Sequence, residues 1–189
     1  MILRTKKIVI TGGPSTGKTS VIEKLEKAGY TCLHEVIRSM TLEKKETEAV
    51  VFKSNPIVSV SDPLTFNTRI LNARVEQYHA VKEDDRNFVF LDRGIPDVLA
   101  YMDCFEQKYN DTFIKACSDH PYDLVFLMPP WKEIHIVDEG RFETYEEALQ
   151  VHKCLLHTYI RLGYNVIIVP KDTVQKRVDF ILDCLKTLK

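Results

Sequence analysis

Ile8-Val9-Ile10-Thr11-Gly12-Gly13-Pro14-Ser15-Thr16-Gly17-Lys18-Thr19-Ser20 is the stretch that decides how this chain folds. Ile8-Val9-Ile10 is a β-branched run ending in glycines, the pattern of a short strand buried on both faces of a parallel sheet. Beyond the glycines, Val21, Ile22 and Leu25 recur at helical spacing, and Gly29 stands where a helix C-cap is expected. Between strand and helix, Gly12 to Thr19 fit G-x-x-x-x-G-K-[ST]. Gly12 and Gly17 allow backbone angles that turn amide N–H groups inward around a phosphate, and the following helix points its positive end at the anion. Lys18 supplies charge for the β- and γ-phosphates, and the Thr19 hydroxyl is the expected Mg²⁺ ligand. Gly12, Gly13, Pro14, Ser15, Thr16, Gly17, Lys18, Thr19 and Ser20 are the expected nucleotide-binding residues, with ATP and Mg²⁺ as cofactors.

Working outward, strands and helices alternate. Tyr30 to Leu33 read as a second strand, and Glu35 to Ala49 as helix. Val50 to Ser61 are irregular and broken by Asn55-Pro56. Asp62-Pro63 reads as an N-cap followed by proline at the first helical position, opening a helix to about Lys82. Phe88 to Leu91 are a third strand, and Pro96 starts the next helix. Leu124 to Met128 form a fourth strand, stopped by Pro129-Pro130. Thr144 and Glu147 form a capping box for a helix to about Leu162, with Gly163 as its stop. Val166 to Val169 are a fifth strand and Val174 to Leu188 a last helix. Such alternation predicts an α/β fold with a parallel sheet and crossover helices on both faces. Residues 1–189 read as one domain.

The bulk numbers narrow the class. Of 189 residues, 26 are basic and 27 acidic, so a formal charge of −1 gives no whole-chain attraction to nucleic acid or anionic lipid. Five dispersed cysteines, with no C-x-x-C pair, exclude a zinc ribbon or dithiol motif and suit a reducing compartment. No apolar run approaches the ~18 residues of a membrane span. The N-terminal strand runs straight into the glycine loop instead of a cleavage site, and the expected location is the cytoplasm.

A phosphate loop needs a carboxylate at the same sheet edge. Ligands of doubly wound sheets sit beyond the carboxyl ends of the strands, where Asp92 directly follows Phe88-Val89-Phe90-Leu91. Asp92 is the second expected metal ligand, beside Thr19. Its successor is Arg93, where hydrolytic motors often carry a glutamate that polarises water. An arginine cannot act as a general base, so Arg93 favours transfer to a bound acceptor over hydrolysis. Glu35 follows the second strand at the same edge and could take a proton from an acceptor hydroxyl. Arg38, three residues on, could pair with it. Asp97 suits a helix N-terminus. The segment from Pro129 to Glu143 is read as a lid, with Arg141 as its mobile arginine and Trp131 as a packing anchor. The expected catalytic set is Lys18, Glu35, Asp92, Arg93 and Arg141. Phe66, Arg69 and Gln77 lie on the Asp62 helix, where Phe66 and Gln77 could sandwich and hydrogen-bond a flat ring, core packing and surface polarity being the alternative.

The blocks ITGGPSTGKTS, HEVIR, FLDRGIPDVLAYM, YDLVFLMPPW, VDEGRF and LGYNVIIVP run nearly end to end. In this order they resemble the NadR-like class of AAA-type P-loop ATPases, related to the nicotinamide riboside kinase domain of bacterial NAD regulators. The resemblance implies a nucleotide-kinase-like three-layer sandwich with strand order 2-3-1-4-5 and an arginine-bearing lid at about 129–143. It further implies a carboxylate for the acceptor after the second strand and an acid–arginine pair after the third, which here are Glu35 and Asp92-Arg93. The Asp-Glu box of AAA motors is absent from the sequence. Two functions follow as expectations. One is an ATP-dependent kinase of a small nucleoside- or riboside-like acceptor. The other is a nucleotide-dependent ATPase or switch that binds a protein or lipid partner through Thr41 to Ser61.

Overall fold

The computed structural model describes residues 4–36, 62–82, 87–135 and 144–186. Strand β1 (Lys6–Thr11) leads into helix α1 (Lys18–Lys27), and β2 (Thr31–Leu33) follows. Helix α2 (Pro63–Ala80) precedes β3 (Phe88–Asp92), α3 (Pro96–Cys104) and α4 (Asp111–Asp119). Then come β4 (Leu124–Leu127), a 3₁₀ turn (Lys132–Ile134), α5 (Tyr145–Arg161), β5 (Val166–Ile168) and α6 (Val174–Lys186). All pairings are parallel, and the strand order is β2-β3-β1-β4-β5.

Alternation along the strands builds two cores. Val9, Leu91, Val125 and Leu127 face one layer of helices, packing with Ile70, Leu99, Phe113, Leu155 and Tyr159. Ile8, Ile10, Phe90, Phe126 and Met128 face the other, against Val21, Ile22 and Leu25 of α1 and Val178, Ile181 and Leu185 of α6. Each such buried side chain stabilises the fold by about 1.5–3 kcal/mol relative to exposure. The result is a three-layer α/β/α sandwich in which β1 sits mid-sheet with β3 and β4 as neighbours.

Local chemistry explains the helix starts. The Asp62 carboxylate accepts from Thr65 N at 3.0 Å, with Pro63 at the first position. Both bonds of the Thr144–Glu147 capping box are formed. Helix α4 has no counterpart in the sequence reading. Asn110 caps it through Thr112 N at 3.1 Å, and only Phe113 and Cys117 are fully buried along it.

Several expectations lie outside the described residues. These include Arg38 with most of the expected Glu35–Ala49 helix, the irregular Val50–Ser61 stretch, and the 136–143 part of the expected lid with Arg141. Thr41 to Ser61, the partner surface of the switch reading, lies there as well.

Candidate functional site

The phosphate loop leaves β1 through residues with uncommon backbone angles. Gly12 has φ 151°, Ser15 φ 55° and Gly17 φ 80°. Gly12 must lack a side chain, because a Cβ there would stand 2.6 Å from the Met128 carbonyl oxygen at the end of β4. The Thr16 hydroxyl donates to Gly13 O at 2.9 Å, closing the loop on itself. Gly17 is the N-cap of α1, makes no side-chain cap, and no acidic residue occupies the first turn. The helix therefore presents the positive end of its dipole without a carboxylate of its own to compensate it.

Lys18 folds back over this loop. Its Nζ donates to Gly12 O at 2.8 Å and Gly13 O at 2.9 Å. Burial, aided by the nearby Arg93 charge, pushes its pKa down to about 7, although Asp92, Glu35 and Asp97 pull the other way. An ammonium held out of water beside an open helix N-terminus is stabilised by an incoming anion.

Asp92 is the last residue of β3, in register with Ile10 and buried. The donors that could hold a divalent ion at this edge, the Thr19 hydroxyl and the Asp92 carboxylate, are both oxygen, which fits hard Mg²⁺ rather than a thiolate-seeking metal.

Arg93 adopts φ 73°, left-handed for a non-glycine residue and costing about 1–2 kcal/mol. Its N–H to Ile10 O at 3.0 Å holds the turn. That turn sends the guanidinium back into the site, where Nε pairs with Glu35 Oε2 and Nη1 with Asp97 Oδ1 at 3.2 Å. The Tyr101 ring lies 5.2 Å from its Cζ. Against the cost of burial, Tyr101, Glu35, Asp97 and Asp92 raise its pKa well above the usual arginine value.

The structure thus brings Lys18, Glu35, Asp92 and Arg93 to one sheet edge, as the order of strands requires. It also adds residues. Arg74 of α2 donates to Glu35 Oε1 at 3.1 Å and to Gly94 O at 2.6 Å. Glu35 is therefore clamped by two guanidinium groups, one on each oxygen, and each oxygen keeps a further lone pair. The other residues noted on α2 stand apart from this cluster. Arg69 is exposed, Phe66 packs half-buried against the core, and Gln77 donates to His34 O at 2.7 Å.

Asp97 is more than a helix-dipole partner. Fully buried, it accepts from Thr11 Oγ1 at 2.5 Å, Tyr159 Oη at 2.6 Å, Gly94 N at 2.9 Å and Arg93. Burial opposes its ionisation. Arg74, Arg93 and the hydrogen bonds from Thr11 and Tyr159 prevail and hold its pKa below the usual carboxylate value. Gly94 must be glycine, since a Cβ would meet Tyr159 Oη at 2.6 Å.

Trp131 faces a cation. The Arg177 guanidinium of α6 lies 5.8 Å from its ring centroid and donates to Thr16 O at 2.8 Å.

Comparison with known proteins agrees with this fold. Residues 7–177 match the model of the AAA domain family. No curated protein matches the sequence significantly. Among solved structures, the NadR protein in complex with NR superposes with a TM-score of 0.70 at 20% identity, over 96% of this chain and 50% of that one. Thymidylate kinase from Candida albicans gives 0.69 at 18% identity, over 97% and 92% of the two chains. Deoxyadenosine kinase from M. mycoides, with the products dCMP and a flexible dCDP bound, gives 0.65 at 16% identity, over 96% and 99%. At these identities the shared property is the fold. Among the described residues, no helix is long and apolar enough to cross a membrane.

Proposed function

We propose that this chain, which belongs to the AAA domain family, is an ATP·Mg²⁺-dependent phosphotransferase acting on a small nucleoside- or riboside-like acceptor. The observation that carries the reading is the pairing of Glu35 with Arg93 at the edge of the phosphate loop, where a hydrolytic motor would place a free glutamate for water. A glutamate engaged by Arg74 and Arg93 is oriented, and it still has acceptor capacity for a hydroxyl. The kinase-like fold of the NadR, thymidylate kinase and deoxyadenosine kinase structures supports the same class.

In this reading the loop from Gly12 to Ser20 holds the triphosphate and Lys18 neutralises its β- and γ-oxygens. Thr19 and Asp92 would hold the metal, which when bound polarises the phosphoryl oxygens. Glu35 accepts the hydrogen bond of the acceptor hydroxyl and aligns its oxygen for attack. Arg93, tied to that carboxylate, links acceptor orientation to charge on the transferring group. Transfer forms the bond from acceptor oxygen to phosphorus and breaks the bond to the β,γ-bridging oxygen. The hydroxyl proton passes to Glu35 or onward to solvent, and ADP leaves. Arg141, on the proposed lid, completes the charge clamp.

The test is ADP release from ATP·Mg²⁺ in the presence of ribosides and deoxynucleosides, nicotinamide riboside included. At least one acceptor is expected to accelerate ADP formation at least about tenfold over the acceptor-free rate, with a phosphorylated product visible by mass. ADP formation indifferent to every acceptor would sink the kinase reading for that panel.

A further inference from the structure

Among the described residues, the charges around the loop are balanced in a way that leaves one over. Lys18, Arg74 and Arg93 face Glu35, Asp92 and Asp97 at the same sheet edge. Arg177 comes from α6, which packs beside α1 in the same helical layer, and is 3% exposed. It forms no ion pair with a carboxylate among the described residues, and its Nε has no hydrogen-bond partner among them. Among the described residues the one hydrogen-bond partner of its side chain is the Thr16 carbonyl oxygen, inside the phosphate loop. Its guanidinium also lies against Gly17, close enough that a Cβ there would meet Nη2 at 2.5 Å.

Burying an arginine without a counter-charge is costly, and such groups are ordinarily paired. In α6 the position is a core position: Arg177, Val178, Ile181 and Leu185 are the buried residues of the helix. An apolar residue there would serve packing alone at lower cost. Desolvation correspondingly lowers the pKa of Arg177. Trp131 offsets part of the cost through its ring face.

We propose that Arg177 is a phosphate-site residue acting at one remove: its surplus buried positive charge, braced on Thr16 and Trp131, strengthens polyanion binding by the Gly12–Ser20 loop. This rests on the reading of that loop as a phosphate site, and it assigns to α6 a part in nucleotide affinity that the loop's own sequence does not contain. Arg177 acts through charge and loop position. It therefore contributes to the affinity for any polyphosphate, with or without a base or an acceptor.

Inorganic tripolyphosphate is the probe, titrated calorimetrically into wild type, Arg177→Gln and Arg177→Lys, with far-ultraviolet circular dichroism to check the fold. Glutamine can still donate to the Thr16 carbonyl but carries no charge, whereas lysine keeps the charge. Arg177→Gln is expected to weaken tripolyphosphate binding by about tenfold or more, the scale of one charge interaction at an effective dielectric near 20. Arg177→Lys is expected to recover most of that loss. A smaller loss in the glutamine variant overturns the proposal, as does an equal loss in both variants or failure of both to fold, since the role would then be structural. Wild-type protein that binds no tripolyphosphate overturns the phosphate-site reading together with the proposal, whereas wild-type binding left unchanged by Arg177→Gln overturns the proposal alone.

Discussion

Lys18→Ala is expected to raise the dissociation constant for ATP·Mg²⁺ by about 30-fold or more while leaving the chain folded. Removing one partner of a desolvated charge pair costs about 2–5 kcal/mol, and Lys18 is the cation at the base of the loop. Two of its three ammonium protons are spent on Gly12 O and Gly13 O, which fixes the direction of the third. The fold itself gains little from this lysine. Its pKa is pushed down to about 7, from 10.5 in the unfolded chain, so burial disfavours its charged form. The sign of the linkage follows. Between pH about 7 and 10.5 the unfolded chain holds this proton and the fold releases it. The stability of the ligand-free protein from this group therefore rises with pH across that window. Alanine removes that slope. The expected pair of results is lost nucleotide affinity in calorimetry and a melting temperature no lower than wild type near pH 7. Affinity within about threefold of wild type in a folded variant would overturn the assignment of the loop.

The reason one part of this site is legible in the sequence and another is not lies in how each is built. The loop from Gly12 to Thr19 is contiguous, and its function depends on backbone angles that only particular residues adopt, so φ 151° at Gly12 and φ 80° at Gly17 are written as glycines. Glu35 and Asp92-Arg93 are legible one step later, because a parallel sheet collects the carboxyl ends of its strands at one edge. Arg74 and Arg177 reach the site across the fold, 39 residues from Glu35 and 161 from Thr16. Their signal is a misfit. Asn67, Ile70, Leu71 and Arg74 form one buried stripe of α2, and Arg177 shares the buried stripe of α6 with Val178 and Ile181. A cation at a core register, where the helical period demands an apolar side chain, points to a buried partner. Which partner it meets is a tertiary fact. Helix α4 went unread for a different reason: nine residues with two fully buried positions carry too short a period to stand out.

Asp97→Ala is expected to cost about 3–5 kcal/mol of folding stability, the scale for removing one member of a buried charge network. The side chain ties three other pieces of the molecule to α3. Thr11 ends β1, Gly94 and Arg93 follow β3, and Tyr159 belongs to α5, and each donates to the same carboxylate. Alanine leaves the Thr11 and Tyr159 hydroxyls and the Gly94 N–H without that acceptor and strips Arg93 of one of its carboxylates. Asp97→Asn preserves shape but removes charge and turns an amide N–H toward a donor, so an intermediate loss is expected. The pH profile separates charge from shape. The folded pKa of Asp97 lies below its unfolded value of about 3.9. Its contribution is thus fully present above that unfolded value and is lost as pH falls through the lower folded one. Urea unfolding at pH 7 should show the ordering wild type, Asn, Ala. Between pH 4 and 2 the wild type should lose more stability than Asp97→Asn, and their midpoints should converge. An alanine variant within about 1 kcal/mol of wild type at pH 7 would mean that the network forms without its central acceptor. A loss as large as expected would identify Asp97 as the residue that holds Arg93 in its left-handed turn.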